Sequence, residues 1–180
     1  MKKIILAFLS VILVVGCSFN DSPKKAVEEL FKKYQSLDDA VISDLEFISE
    51  GNNLKSQEER EAYIKAMKMQ YSDLKYEITN EEVNADEATI TVKITVYDFY
   101  KVEKDADKYL LSHPEVFQEE GKYDSSKFVM YKLKQMLETS ERVEYTILVN
   151  LTKDENEWKT QSFDKTTLEK IHGVYNYENN

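Results

Sequence analysis

Cysteine, proline and glycine are scarce in this chain, with one Cys, two Pro and four Gly in 180 residues. A single cysteine, Cys17, excludes an intrachain disulfide and a Cys-rich zinc site, so packing alone must hold the fold. Four scattered glycines leave no Gly-rich loop to cradle a phosphate. Low Gly and Pro beside 12 Tyr and eight Phe exclude a low-complexity stalk and point to regular elements around a core. Basic residues are the minority, 24 Lys and Arg against 34 Asp and Glu, for a net charge of -10. No basic stripe exists to neutralise phosphates, which excludes nucleic acid as a partner. Anionic lipid attracts basic segments, so the domain is not expected to lie flat on a membrane. The two histidines, His113 and His172, are far apart and lack ligand spacing, so neither metal nor cofactor is expected.

The longest apolar run, Ile4 to Val15, is broken only by Ser10 and follows Lys2 and Lys3. It falls short of the roughly 20 residues that span a bilayer. A charged start, a short apolar stretch and the small residue Gly16 have the grammar of a secretory signal. Val14-Val15-Gly16-Cys17 resembles the lipobox of bacterial lipoproteins. That resemblance implies removal of residues 1–16, a diacylglyceryl group on the Cys17 thiol, and anchorage on the extracytoplasmic face of the cell membrane. Removing residues 1–16 takes away Lys2 and Lys3 and no acid, so the charge falls from -10 to -12. Residues 17–22 then form a lipidated tether; five extended residues reach roughly 17 Å, which keeps a domain starting at Pro23 close to the bilayer.

Residues 23–180 read as one α+β domain. Ser22-Pro23 has the chemistry of an N-cap and first helical position, and Val27, Leu30, Phe31 and Tyr34 form one apolar stripe. Ser36 to Asp39 has capping-box spacing and predicts a second helix to about Gly51, with Val41, Leu45 and Ile48 inward. Ser56-Gln57-Glu58-Glu59 predicts a third, with Tyr63, Ala66, Met67 and Tyr71 on one face. The period then changes to two. Leu74, Tyr76 and Ile78 alternate with polar residues, Asn84-Ala85-Asp86 supplies a turn, and Ala88, Ile90, Val92, Ile94 and Val96 share one face of a long strand. A helical insert at about 102–140 is expected, with Pro114 starting a short helix, Gly121 ending it and another helix from Ser126 to Glu138. Val143 to Leu151 alternates again, Trp158 to Phe163 returns, and Thr166 to Ile171 closes the chain as a helix. No second core is evident.

Ser22 to Phe31, the run Ile90 to Asp98 and the stretch Tyr145 to Trp158 resemble small Gram-positive lipoproteins of unknown function. Those are similar to the nuclear transport factor 2-like (cystatin-like) cone. The resemblance implies helices packed on a curved antiparallel sheet that contains both hairpins. The cone family includes enzymes, ligand binders and interaction modules, so the likeness does not choose among them.

Asp98 continues the parity of Ile94 and Val96 and is the one acid on the apolar face of that strand. In a cone this face lines the pocket, where a carboxylate can act as a base. Ketosteroid isomerase-type cones imply a tyrosine such as Tyr145 polarising a carbonyl beside it. The competing reading ends the strand at Tyr97 and makes Asp98 a solvated strand end or the next helix's cap; we favour it. No Gly-x-Ser-x-Gly nucleophile signature occurs. The acidic pairs, Glu58-Glu59 among them, and Asp105-Ala106-Asp107 lack a calcium-wrapping loop and read as solvated helix faces. His172, before Gly173 at a helix end, suits the negative end of the helix dipole when protonated. The expected function is a lipid-anchored binding module for an envelope protein or a small apolar ligand. The alternative is an isomerase- or dehydratase-like enzyme using Asp98.

Overall fold

The structure, a computed structural model, describes residues 21–51 and 54–179. The signal segment, Cys17 and most of the tether lie outside them. In chain order the elements are α1 (Pro23–Ser36), α2 (Asp39–Gly51), α3 (Gln57–Ser72), β1 (Lys75–Asn84), β2 (Glu87–Tyr97) and α4 (Phe99–Ser112). A 3-10 turn at Pro114–Phe117 leads to β3 (Gln118–Glu119) and β4 (Lys122–Tyr123). Then come α5 (Ser125–Glu138), β5 (Arg142–Asp154), β6 (Glu157–Thr160), α6 (Lys165–Ile171) and a closing 3-10 turn at Tyr177–Asn179.

The helix starts follow side-chain chemistry. Ser22 accepts from the Lys25 N–H at 3.3 Å with Pro23 at the first position. At α3 the expected capping box is complete: Ser56 accepts from the Glu59 N–H at 3.1 Å, and Glu59 accepts from the Ser56 N–H at 3.3 Å. The pair Glu58-Glu59 is not uniformly solvated, however. Glu59 is buried and its other oxygen accepts from the Ser126 hydroxyl, which ties α3 to α5. Ser36 is not a cap. It remains in the last turn of α1 and donates back to the Lys33 carbonyl, while Asp38 accepts from the Ala40 N–H at 3.1 Å. Leu37 ends α1 in the left-handed region at φ 53°.

One antiparallel sheet runs in the order β1-β2-β5-β6, so both hairpins share it, as an α+β cone requires. β2 and β5 pair from Glu87↔Thr152 to Tyr97↔Arg142, and the whole insert leaves and returns between them. The insert differs from the sequence reading. Its first helix starts at Phe99, and the short helix after Pro114 ends at Phe117 rather than at Gly121. Glu120 and Gly121, at φ 50° and 77°, turn the small β3–β4 hairpin instead. The return strand stops at Thr160, short of Phe163, and Asp164 then caps α6 by accepting from the Thr167 N–H at 2.7 Å.

The core forms on one face of the sheet. Ala88, Ile90, Val92, Ile94 and Val96 are each at most 5% exposed and pack with Ile147, Val149 and Leu151 of β5. Val27, Leu30 and Phe31 of α1, with Met67 and Tyr71 of α3, belong to the same cluster. The opposite face keeps Thr89, Thr91 and Thr95 toward solvent, with an ion pair between Lys93 and Glu144. A second, smaller core does exist: Ala106, Phe117 and Phe128 pack beneath the insert with Tyr109 and Tyr131. Its members come from α4, the 3-10 turn and α5, which meet only in the tertiary structure.

Because Ile94 is fully buried at the centre of β2, Ile94→Asp places an unpaired charge in the core. A loss on the order of 4 kcal/mol or more is expected in urea denaturation. A loss under about 0.5 kcal/mol, the range of surface changes, contradicts this placement of the inner face.

Candidate functional site

β2 ends where four parts of the chain meet. The Asp98 N–H still donates to the Glu141 carbonyl at 3.0 Å, but at φ -83° and ψ 74° the backbone leaves the strand. Asp98 Oδ1 accepts from the Lys101 N–H at 2.9 Å and so caps α4. Oδ2 accepts from the Tyr177 hydroxyl at 2.9 Å. The cap is as expected, yet Asp98 is only 6% exposed and does not face water. The C-terminal tail covers it, and no pattern in β2 foretells that tail.

Tyr145, opposite Ile94 in β5, also points inward and is buried. Its hydroxyl donates to the Tyr175 carbonyl at 3.5 Å, and its ring meets Tyr175 edge-on at 5.7 Å. Burial, and then the Asp98 charge, raise the phenol well above its ordinary range. It therefore stays a hydrogen-bond donor at all ordinary pH. The fold brings Asp98 and Tyr145 into one neighbourhood, but each is already engaged by the tail.

The tail is held by side chains. Tyr177 meets Tyr100 edge-on at 4.9 Å, and its hydroxyl is pushed up to about 12 by burial and by its bond to Asp98. Glu178 accepts from the Tyr100 hydroxyl at 3.2 Å and pairs with Lys104 at 2.6 Å; that hydrogen bond to Lys104 is the main reason its carboxyl is lowered. Lys170 lies 5.3 Å from the Tyr175 ring centroid.

Behind Asp98 lies a polar clamp that the sequence reading missed. Gln70 of α3 is fully buried; it donates to the Tyr97 carbonyl at 3.1 Å and accepts from the Tyr97 N–H at 2.8 Å. The available signal was its spacing, since Gln70 follows Tyr63 by seven and Met67 by three on the apolar face. Gly173 passes over this clamp at φ 72°, and its carbonyl accepts from the Tyr100 N–H at 2.7 Å. On the solvent side, Asp73 accepts from the Tyr97 hydroxyl at 2.8 Å and from Arg142, whose guanidinium lies 4.0 Å from the Tyr97 ring centroid.

His172 departs from expectation. It is buried, its Nε2 shares a 2.8 Å hydrogen bond with the Tyr71 hydroxyl, and burial lowers it to about 4. It is thus neutral at pH 7 and does not serve the helix dipole. His113 stays at the surface between α4 and the 3-10 turn, stacked on Tyr109 at 4.4 Å. Among the described residues no three His, Cys, Asp or Glu side chains group as a metal site, and no helix is long and apolar enough to cross a membrane. An open cleft of about 520 Å³, lined by Lys55, Glu119, Lys122, Tyr123 and their neighbours, shares no residue with the Asp98 junction.

Two outcomes test this junction. A Cβ at Gly173 falls onto the Tyr97 carbonyl oxygen and the Gln70 side-chain nitrogen, so Gly173→Ala is expected to cost on the order of 3 kcal/mol in urea denaturation, far beyond the usual Gly→Ala change. A cost near zero contradicts the close approach. For His172, the folded pKa lies below the unfolded value, so the unfolded chain binds the proton first. Stability is retained above about pH 6.5 and falls as pH drops toward about 4. At about 1.4 kcal/mol per pKa unit, the His172 share is on the order of 3 kcal/mol. His172→Gln is expected to flatten the difference in stability between pH 7 and pH 4.5, measured against the parent chain; an unchanged difference overturns the assignment.

No family model matches the chain, and no curated protein matches it. Among solved structures, the chain is similar to that of a "putative lipoprotein (ycdA)" from Bacillus subtilis subsp. subtilis str. 168. The two are 14% identical with a TM-score of 0.45, over 88% of this chain and 49% of that one. The chain thus spans about half the length of that protein.

Proposed function

We propose that this chain is a lipid-anchored extracytoplasmic protein whose folded domain is a binding module rather than an enzyme. The anchor rests on Cys17 in Val14-Val15-Gly16-Cys17, with α1 beginning at Pro23. Modified as a lipoprotein, the chain sits next to the outer surface of the membrane, where an envelope protein or a small apolar ligand is its natural partner. The element order and shared sheet fit the nuclear transport factor 2-like cone of small Gram-positive lipoproteins.

The observation that favours binding over catalysis is the state of Asp98. Asp98 is buried beneath the C-terminal tail, with Tyr177 on Oδ2 and the Lys101 N–H on Oδ1, so neither oxygen is open to a substrate in this arrangement. A general base needs an oxygen within reach of a substrate proton. The acid-base reading of Asp98 and Tyr145 therefore ranks second.

Two acyl chains bury about 28 methylenes at about 0.8 kcal/mol each, enough for permanent anchorage. In a bacterial host, the parent chain is expected in the membrane fraction and labelled by a fatty-acid probe. Cys17→Ala is expected to lose the label and leave the membrane or remain uncleaved. A processed Cys17→Ala chain that still pellets with membranes overturns the anchor.

A further inference from the structure

The C-terminal tail after Gly173 occupies a slot shaped for one aromatic ring with a hydroxyl. Tyr177 fills it: the ring stands edge-on to Tyr100, and the hydroxyl donates to Asp98 Oδ2. Asp98 and Tyr100 are themselves buried, whereas Tyr177 is 36% exposed. The walls belong to the body of the fold, and the filling belongs to its end.

The attachment of that filling is uneven. The Val174 N–H donates to the Glu169 carbonyl at 3.0 Å and Gly173 is fixed over the Gln70 clamp, so the pivot is firm. Val174 and Tyr175 pack half-buried against the main core, and Tyr145 donates to the Tyr175 carbonyl at 3.5 Å. Beyond Asn176 the contacts are the Tyr177 ring on Tyr100, its bond to Asp98, the Tyr100 hydroxyl bond to Glu178 at 3.2 Å and the exposed ion pair of Glu178 with Lys104. An exposed pair of this kind contributes about 0–1 kcal/mol. Moving Tyr177 and Glu178 therefore breaks side-chain contacts at the surface and leaves the sheet, the Gly173 pivot and the packing of Val174 and Tyr175 intact.

We propose that Tyr177 is an internal stand-in for a ligand, and that the slot between Asp98 and Tyr100 binds a small phenol-like ring bearing a hydroxyl donor when the tail swings out beyond Tyr175. This names a site for the binding module proposed above and rests on that reading. Asp98 recognises the donor: a ring that takes the place of Tyr177 buries the carboxylate again, and without a hydroxyl it leaves Oδ2 unpaired at the cost of desolvation. Tyr100 supplies the ring edge contact. The ligand competes with the tail, so its apparent affinity is scaled by the fraction of molecules with the tail open.

The test uses the full chain and 4-methylphenol, the tyrosine side chain as a free molecule, with toluene as the ring without a donor. Binding is followed by NMR chemical shifts. Glu178→Gln removes the charge that pairs with Lys104 and weakens the bond from the Tyr100 hydroxyl while leaving Asp98 and the Tyr100 ring in place, and Tyr177→Ala empties the slot. The expected order of affinity for 4-methylphenol is parent chain, then Glu178→Gln tighter by about threefold, then Tyr177→Ala tighter by about tenfold or more, in line with a rising open fraction. Toluene is expected to bind at least about tenfold more weakly than 4-methylphenol in the variants, since it leaves Asp98 unpaired. Binding confined to Tyr177→Ala shows a fixed tail and overturns the proposal, as does equal binding of toluene or no binding in any chain. Should Tyr177→Ala fail to fold, the comparison of Glu178→Gln with the parent decides alone. None of these outcomes bears on Cys17, whose anchorage is read from membrane partition.

Discussion

A single buried amide sets the geometry at the end of β2. Gln70 occupies a position on α3 where an apolar residue fits the stripe, and it uses both ends of its side chain on the Tyr97 backbone. Buried backbone groups at a strand end need partners, and an amide offers a donor and an acceptor at the right spacing. The clamp fixes where β2 stops, and therefore where α4 starts and how Asp98 is aimed. Only a glycine can cross above it, so Gly173 follows from Gln70 as much as from its own φ. His172 beside it is consequently drawn inside, where Tyr71 shares its hydrogen bond and burial keeps it neutral.

The tail turns this junction from an open end into a closed one. Asp98 combines two tasks that a solvated cap does not: it caps α4 and receives the Tyr177 hydroxyl from the chain's other extremity. Aromatic rings carry most of the contact there, and Lys104, Glu178 and Lys170 sit at the margin. Among the described residues no three His, Cys, Asp or Glu side chains group as a metal site. The insert has a second anchor of its own: a small aromatic core joins α4, the 3-10 turn and α5, while Phe99, Leu133 and Met136 of the same helices belong to the main core.

Where residues repeated with a clear period, the sequence was a sufficient guide. The stripe of α1, the capping box of α3 and the alternation of β2 and β5 are local patterns that each turn or strand imposes on its own neighbours. They carried the α+β class and both hairpins. Partial failures came where two local signals competed. Ser36 had capping-box spacing, but Asp38 stood nearer to the N–H groups of α2, and Ser36 stayed in α1. Gly121 signalled a helix end and served a hairpin turn instead.

The candidate site was decided by contacts between residues far apart in the chain. Asp98 could be placed at a strand end from its own surroundings, but its burial depends on Tyr177, 79 residues later. The same holds for Gln70 with Tyr97, and for Tyr71 with His172, 101 residues apart. Periodicity reports which face of an element is buried, because burial repeats along it. A hydrogen bond between two elements happens once and leaves no period, so only the tertiary structure determines it.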